Sequence, residues 1–357
     1  MMGPVGRYTR LKPHIPCLIV LVGVLMLGFQ SGSNPIKLRA RTLATGFDAA
    51  SAGLITADID GDGNPELIAW SNRGIKVFRN GSPNPIDCGL GGVRDVISIS
   101  PGDFNNDGLA DLAILTQSGA ELWVNRKGTF EKLSVLIPEG AYNKAVWVDY
   151  DHDNDLDLFL LGDKSALLRN DGATGFSNLS NNFPFVAGRA VDGAPFDPAR
   201  GKSRMDLVVV YSDRPGVLYV DKLGGRYEAQ DLNIIPAGVK AVMAADLDND
   251  GAIDLVIMTP SGAFPLFNRR GSFERGAQIN QSSSALAIVD LENRGFREIA
   301  VSGAIFRNDG WGKFSEIKVP DGDAAILLAV DFDGDGRTDL MEVRRDGSLV
   351  FLRNEPD

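Results

Sequence analysis

Five short loops gather 19 carboxylates at one recurring spacing, an arrangement of hard oxygen donors suited to holding metal cations. They read Asp58-Ile-Asp60-Gly-Asp62-Gly-Asn-Pro-Glu66, Asp103-Phe-Asn105-Asn-Asp107-Gly-Leu-Ala-Asp111 and Asp149-Tyr-Asp151-His-Asp153-Asn-Asp-Leu-Asp157, then Asp246-Leu-Asp248-Asn-Asp250-Gly-Ala-Ile-Asp254 and Asp331-Phe-Asp333-Gly-Asp335-Gly-Arg-Thr-Asp339. Each places an oxygen at positions one, three and five and an acid at position nine. Two carboxylates about 4 Å apart repel by roughly 4 kcal/mol at an effective dielectric near 20, so four in nine residues call for a cation.

Calcium takes six to eight oxygens at flexible geometry. Positions one, three, five and nine supply most of them, and a backbone carbonyl at position seven completes the set. Position six is a turn former in every loop, Gly63, Gly108, Asn154, Gly251 and Gly336, which lets the chain fold back round the ion. Helix-loop-helix calcium sites need a glutamate at position twelve, where this chain has Ala69, Ile114, Leu160, Ile257 and Glu342. Zinc, copper and iron are disfavoured, because the loops hold no thiolate and their one histidine, His152, falls at a skipped position. Magnesium stays open as an alternative. Two weaker copies, Asp197 to Asp206 and Asp290-Leu-Glu292-Asn-Arg294-Gly-Phe-Arg-Glu298, carry basic residues instead. Arg200, Lys202 and Arg294 are expected to replace the metal there.

The loops recur because a structural unit recurs. The first aspartates of the seven copies stand at 58, 103, 149, 197, 246, 290 and 331, between 41 and 49 residues apart, a period that signals a propeller or solenoid. Each copy has β-rich runs on both sides of its loop, such as Val96 to Ile99 and Leu112 to Leu115. A third run tends to end in an asparagine turn, as in Leu122-Trp-Val-Asn125 and Leu167-Leu-Arg-Asn170, and a fourth opens on an aromatic after glycine, as in Gly128-Thr-Phe130. Four strands make a blade, so the expected fold is all-β, a seven-bladed β-propeller over residues 35–357. The last copy stops at Asn354-Glu-Pro-Asp357, where its fourth strand is due. Residues Ile36 to Leu43 are expected to supply that strand from the other end and close the ring, removing an exposed sheet edge.

The net charge of −11 and the absence of clustered Lys and Arg exclude a nucleic-acid partner. Five divalent ions would bring that charge close to neutral. Residues 1–34 carry Arg7, Arg10 and Lys12, an apolar run from Ile15 to Phe29, then small and polar residues, the layout of a signal peptide or an N-terminal membrane anchor. The body is therefore expected outside the cytoplasm, secreted, periplasmic or on the cell surface. Cys17 lies in that run, which leaves Cys88 as a lone, buried, apolar residue.

The loops resemble those of the FG-GAP or VCBS repeats found in integrin alpha-chain propellers and in secreted bacterial proteins. Gly193-Ala-Pro195 stands before the fourth copy, where that family places its Gly-Ala-Pro. The resemblance implies structural calcium in the first hairpin loop of each competent blade, about five ions in all, and leaves blades four and six in doubt. It also implies a non-catalytic binding or adhesion module for a protein or glycan. A calcium-dependent lectin is an alternative, and a polysaccharide lyase or hydrolase a more distant one. No catalytic residue stands out, since the acids belong to the repeat and His152 lies within it. Trp311 and Tyr142 are the candidate sugar-stacking aromatics, although both are expected to pack between blades. Sequons at Asn80, Asn178 and Asn280 matter only in a eukaryotic secretory pathway.

Overall fold

The structure is a computed structural model, and it describes residues 36–198, 204–279, 285–319 and 322–356. The apolar run with Cys17, together with Arg200, Lys202 and Asn280, lies outside the described residues.

The described strands form seven antiparallel sheets of four strands each. Blade one shows the plan: Gly53–Ala57, Glu66–Ser71, Gly74–Phe78 and Pro85–Ile86, each paired with the next by a hairpin. Blades two to six repeat it, from Val96–Gly102 to Phe314–Lys318. Blade seven takes three strands from the C-terminal end, Ala324–Val330, Asp339–Arg344 and Leu349–Asn354. Its fourth is Leu38–Ala44, paired from Leu38 opposite Asn354 to Ala44 opposite Leu349. The ring is thus closed by the N-terminal strand, as the sequence predicts.

The second strand of each blade decides how blades stack. Glu66–Ser71, Asp111–Thr116, Asp157–Gly162 and Asp206–Tyr211 are buried at every residue. A strand with apolar neighbours on both faces reads as a continuous hydrophobic run, and side chains point alternately to the two faces. In blade one Leu67 and Ala69 face blade seven, while Ile68 and Trp70 face blade two. The same alternation continues round the ring, so the interior is not one core but seven apolar layers, one at each junction between blades. Cys88 is buried in the layer between blades one and two. Tyr142 is buried in the layer between blades two and three, its hydroxyl donating to the Pro138 carbonyl. Trp311 departs from expectation: it is 80% exposed and does not pack between blades.

A closed ring has no spare layer, so loss of one strand opens two junctions at once. Deleting residues 35–45 is expected to abolish cooperative unfolding of the native domain; a native-like thermal melt would contradict closure by the N-terminal strand.

Candidate metal centres

Every acidic loop joins the first strand of its blade to the second, and three features shape it. The position-one carboxylate accepts N–H groups from within the turn. Asp58 takes Gly61 and Gly63 at 2.7 and 2.9 Å, Asp103 takes Asp107 and Gly108 at 3.1 and 2.8 Å, and Asp331 takes Gly334 and Gly336 at 2.9 and 2.8 Å. Asp149 and Asp246 bond Asn154 and Gly251 in the same manner. Second, positions four and six both adopt left-handed backbone: Gly63 has φ +88° and Asn154 +74°, and at position four Asn106 has +58° and His152 +67°. This is why Gly and Asn recur at both places.

Third, the acid at position nine begins the second strand and is fully buried, or nearly so, in all five loops: Glu66, Asp111, Asp157, Asp254 and Asp339. In blades one, three, five and seven one oxygen accepts the N–H of position two, as Asp157 does from Tyr150 at 2.8 Å and Asp254 from Leu247 at 2.9 Å. Where the third strand ends in asparagine, the other accepts that residue's N–H, from Asn125 to Asp111, Asn170 to Asp157, Asn268 to Asp254 and Asn354 to Asp339, all at 2.7–2.8 Å. The asparagine side chain then reaches the preceding blade. Its amide donates to the position-two carbonyl of that blade's loop: Asn125 to Ile59, Asn170 to Phe104, Asn308 to Leu247 and Asn354 to Leu291, at 2.6–2.8 Å, and Asn268 to Pro198 at 3.4 Å. The asparagine turns were visible in the sequence, but their role as links between blades was not.

Carboxylate oxygens converge in four loops. Asp58, Asp60 and Asp62 offer atoms within 4.8 Å of one another, as do Asp149, Asp151 and Asp157, then Asp246, Asp248 and Asp250, then Asp331, Asp333 and Asp339. Several oxygens of these residues are buried without a hydrogen-bond partner: Asp60 Oδ1, Asp151 Oδ1, Asp248 Oδ1 and Asp333 Oδ1 at position three, with Asp246 Oδ1 at position one. The second loop has Asn105 at position three, and there Asp111 Oδ2 is the unpartnered oxygen. A buried anionic oxygen without a donor is costly, and a hard divalent ion at the centre of each loop would satisfy these atoms together, so the residues fit such an ion.

Blade six carries its own cation. The Arg294 guanidinium lies 2.7 Å from Glu292 at position three and 3.0 Å from Glu298 at position nine, and it also donates to the Asn308 carbonyl. Arg294 thus stands among the acids of this copy, pairing with positions three and nine. Blade four differs again. Asp221 stands where the other blades have asparagine and cannot donate to the preceding loop; His152 of blade three closes that junction instead, its Nε2 2.8 Å from the buried Asp221 Oδ2. That pairing occupies the one histidine of the acidic loops.

Electrostatics follow burial. Desolvation, with the neighbouring acids adding to it, pushes Asp111, Asp254 and Asp339 up to about 7 and Asp157 to about 8. Glu298 likewise rises to about 7. Glu66 also rises, and again burial is the main cause. Between their ordinary range near 4 and these raised values, the folded metal-free chain holds more protons than the unfolded one, so its stability is greatest at the acidic end and falls as pH rises. The melting temperature of chelator-treated protein is expected to drop by several degrees from about pH 5 to about pH 8, with saturating divalent ion flattening the decline. Equal slopes with and without the ion would show that these carboxylates do not face a metal.

Comparison with known proteins agrees with this geometry. A family model described as an FG-GAP-like repeat matches residues 58–114 and 103–160, spans that begin at the first and second acidic loops. No curated protein matches the sequence. Among solved structures, an Agrocybe aegerita lectin described for specific recognition of non-reducing terminal N-acetylglucosamine is 20% identical, with a TM-score of 0.59 over 85% of each chain. The BP39L lectin from Burkholderia pseudomallei is 13% identical, with a TM-score of 0.61 over 90% of this chain and 98% of that one. BBS1N, solved in complex with ARL6DN, is 14% identical, with a TM-score of 0.62 over 90% of this chain and 96% of that one. At these identities the likeness is one of fold.

Proposed function

The chain is an FG-GAP repeat β-propeller, and on that premise we propose that it is a calcium-stabilised, non-catalytic binding module that holds a glycan or protein outside the cytoplasm. The observation that carries the binding role is Trp311. Water-exposed indole is unfavourable surface, yet this ring is 80% exposed on a turn built to hold it. Asp309 accepts the N–H groups of Trp311 and Lys313 at 2.8 and 3.2 Å. The flanking glycines are pressed on both sides: a Cβ on Gly310 would lie 2.6 Å from the Phe296 ring, and one on Gly312 would lie 2.5 Å from the Phe267 ring of blade five. Blade five therefore fixes the turn from below, with Asp248 of its acidic loop alongside. A rigid exposed aromatic is suited to stacking on a sugar face, and propellers of like fold include two lectins as well as BBS1N in complex with a protein.

Calcium is preferred over magnesium because each acidic loop offers three or four carboxylates on a short turn, whereas magnesium keeps several waters and usually takes only one or two protein carboxylates. Extracellular calcium modules bind at about 0.1 to 1 mM, which suits sites filled outside the cell and empty inside it. At tenfold saturation each site would add roughly 1.4 kcal/mol, and five about 7 kcal/mol, comparable to the whole stability of an ordinary domain. The apolar run from Ile15 to Phe29 supports export or anchoring. No helix among the described residues is long and apolar enough to cross a membrane.

A glycan array probed with residues 35–357, in calcium and again in chelator, tests the reading. The expected result is a calcium-dependent hit on one sugar class, lost in Trp311→Ala while the melting temperature stays unchanged. Silence from a folded, calcium-loaded sample would remove the glycan ligand.

A further inference from the structure

Four blades place an arginine at the end of the third strand against the position-three acid of their own loop. Arg79 lies 3.2 Å from Asp60, and Arg269 lies 2.5 Å from Asp248 and 3.5 Å from Asp250. Arg353 lies 2.5 Å from Asp333 and 3.1 Å from Asp335, and Arg307 lies 2.7 Å from Glu292. In the first three the arginine takes Oδ2 of the position-three aspartate, and Oδ1 of the same group is the buried oxygen left without a partner. The carboxylate is thus shared, one oxygen on a fixed cation and one facing the loop. Blade six shows that the position accommodates both: Glu292 pairs at 2.7 Å with Arg307 and at 2.7 Å with Arg294, whose guanidinium stands in for the ion.

The two remaining acidic loops lack this arginine contact. Blade two has neutral Asn105 at position three and Val124 before its asparagine, and Arg126, which follows the asparagine as Arg269 does in blade five, lies 3.6 Å from Glu131 instead. In blade three Arg169 precedes the asparagine but pairs with Asp171 at 2.6 Å, acting on Asp151 only through space, and Asp151 Oδ1 is buried without a partner. The fixed cation therefore follows the charge at position three everywhere except in blade three.

Resting on the calcium reading above, we infer that Arg79, Arg269 and Arg353 set the ion affinity of loops one, five and seven. Each acts as a built-in competitor, weakening its loop relative to that of blade three. A fixed positive charge a few ångströms from a divalent ion opposes binding even at the dielectric of a protein surface. Blade three keeps four carboxylates, Asp149, Asp151, Asp153 and Asp157, and its arginine pairs with Asp171 instead of with position three. It is the loop expected to fill first, ordering the ring before the others load.

Calorimetric calcium titration of residues 35–357 gives the test, with Arg353→Met, Arg353→Lys and Arg169→Met alongside the parent chain. The parent is expected to show at least two classes of site. Arg353→Met should tighten one weak site about tenfold, Arg353→Lys should stay near the parent because the charge remains, and Arg169→Met should leave the tight class unchanged. An unchanged or weaker site in Arg353→Met, in a variant whose calcium-loaded melt shows it folded, overturns the inference. No calcium uptake by the parent would instead remove the calcium reading on which it rests.

Discussion

The buried carboxylate at position nine is the interaction on which the rest depends. It sits where the metal loop becomes the second strand, and in blades three, five and seven it accepts backbone N–H groups from position two of the loop and from the end of the third strand. One side chain therefore fixes the loop, the hairpin after it and the asparagine beside it. That asparagine uses its full capacity. In blade two Asn125 donates its amide to Ile59 of the preceding blade and to Ala110 of its own, and its carbonyl accepts from Gly128. Buried polar groups of this kind are stable only when fully satisfied, which makes each junction all or none.

This arrangement lets a ring of separate sheets behave as one body. The apolar layers supply the attraction between blades, yet apolar contact alone is tolerant of sliding. The asparagine amide on a single carbonyl of the neighbouring loop sets the register. At the seam, blade one solves the same problem with backbone: the Gly81 N–H takes the Phe332 carbonyl at 2.5 Å.

The two divergent blades show which parts of the unit can be exchanged. Blade six has Arg294 at position five in place of an acid, so its cation is part of the chain. Blade four lost the asparagine, and His152 of its neighbour closes the junction onto Asp221. In both, a missing charge or donor is replaced by a side chain that reaches the same place. Blade six fills its own loop, and the five acidic loops differ in the arginine already beside them.

The fold was largely legible in the chain because its cause is local and repeated. Alternating oxygens such as Asp331, Asp333 and Asp335 need one tight turn, second strands with continuous apolar runs such as Leu112 to Leu115 need neighbours on both faces, and a period of 41 to 49 residues leaves room for four strands. Even the closing strand was readable, since the last copy lacked what residues 36–43 supply. Only the tertiary structure decided what crosses between strands and blades. The contact of Arg353 with Asp333 spans a hairpin, the bond from Asn170 to Phe104 spans 66 residues, and the exposure of Trp311 depends on where blade five holds its turn. Spacing along a chain encodes which groups share a turn, but direction across a junction is set by packing, and packing exists only once the ring has closed.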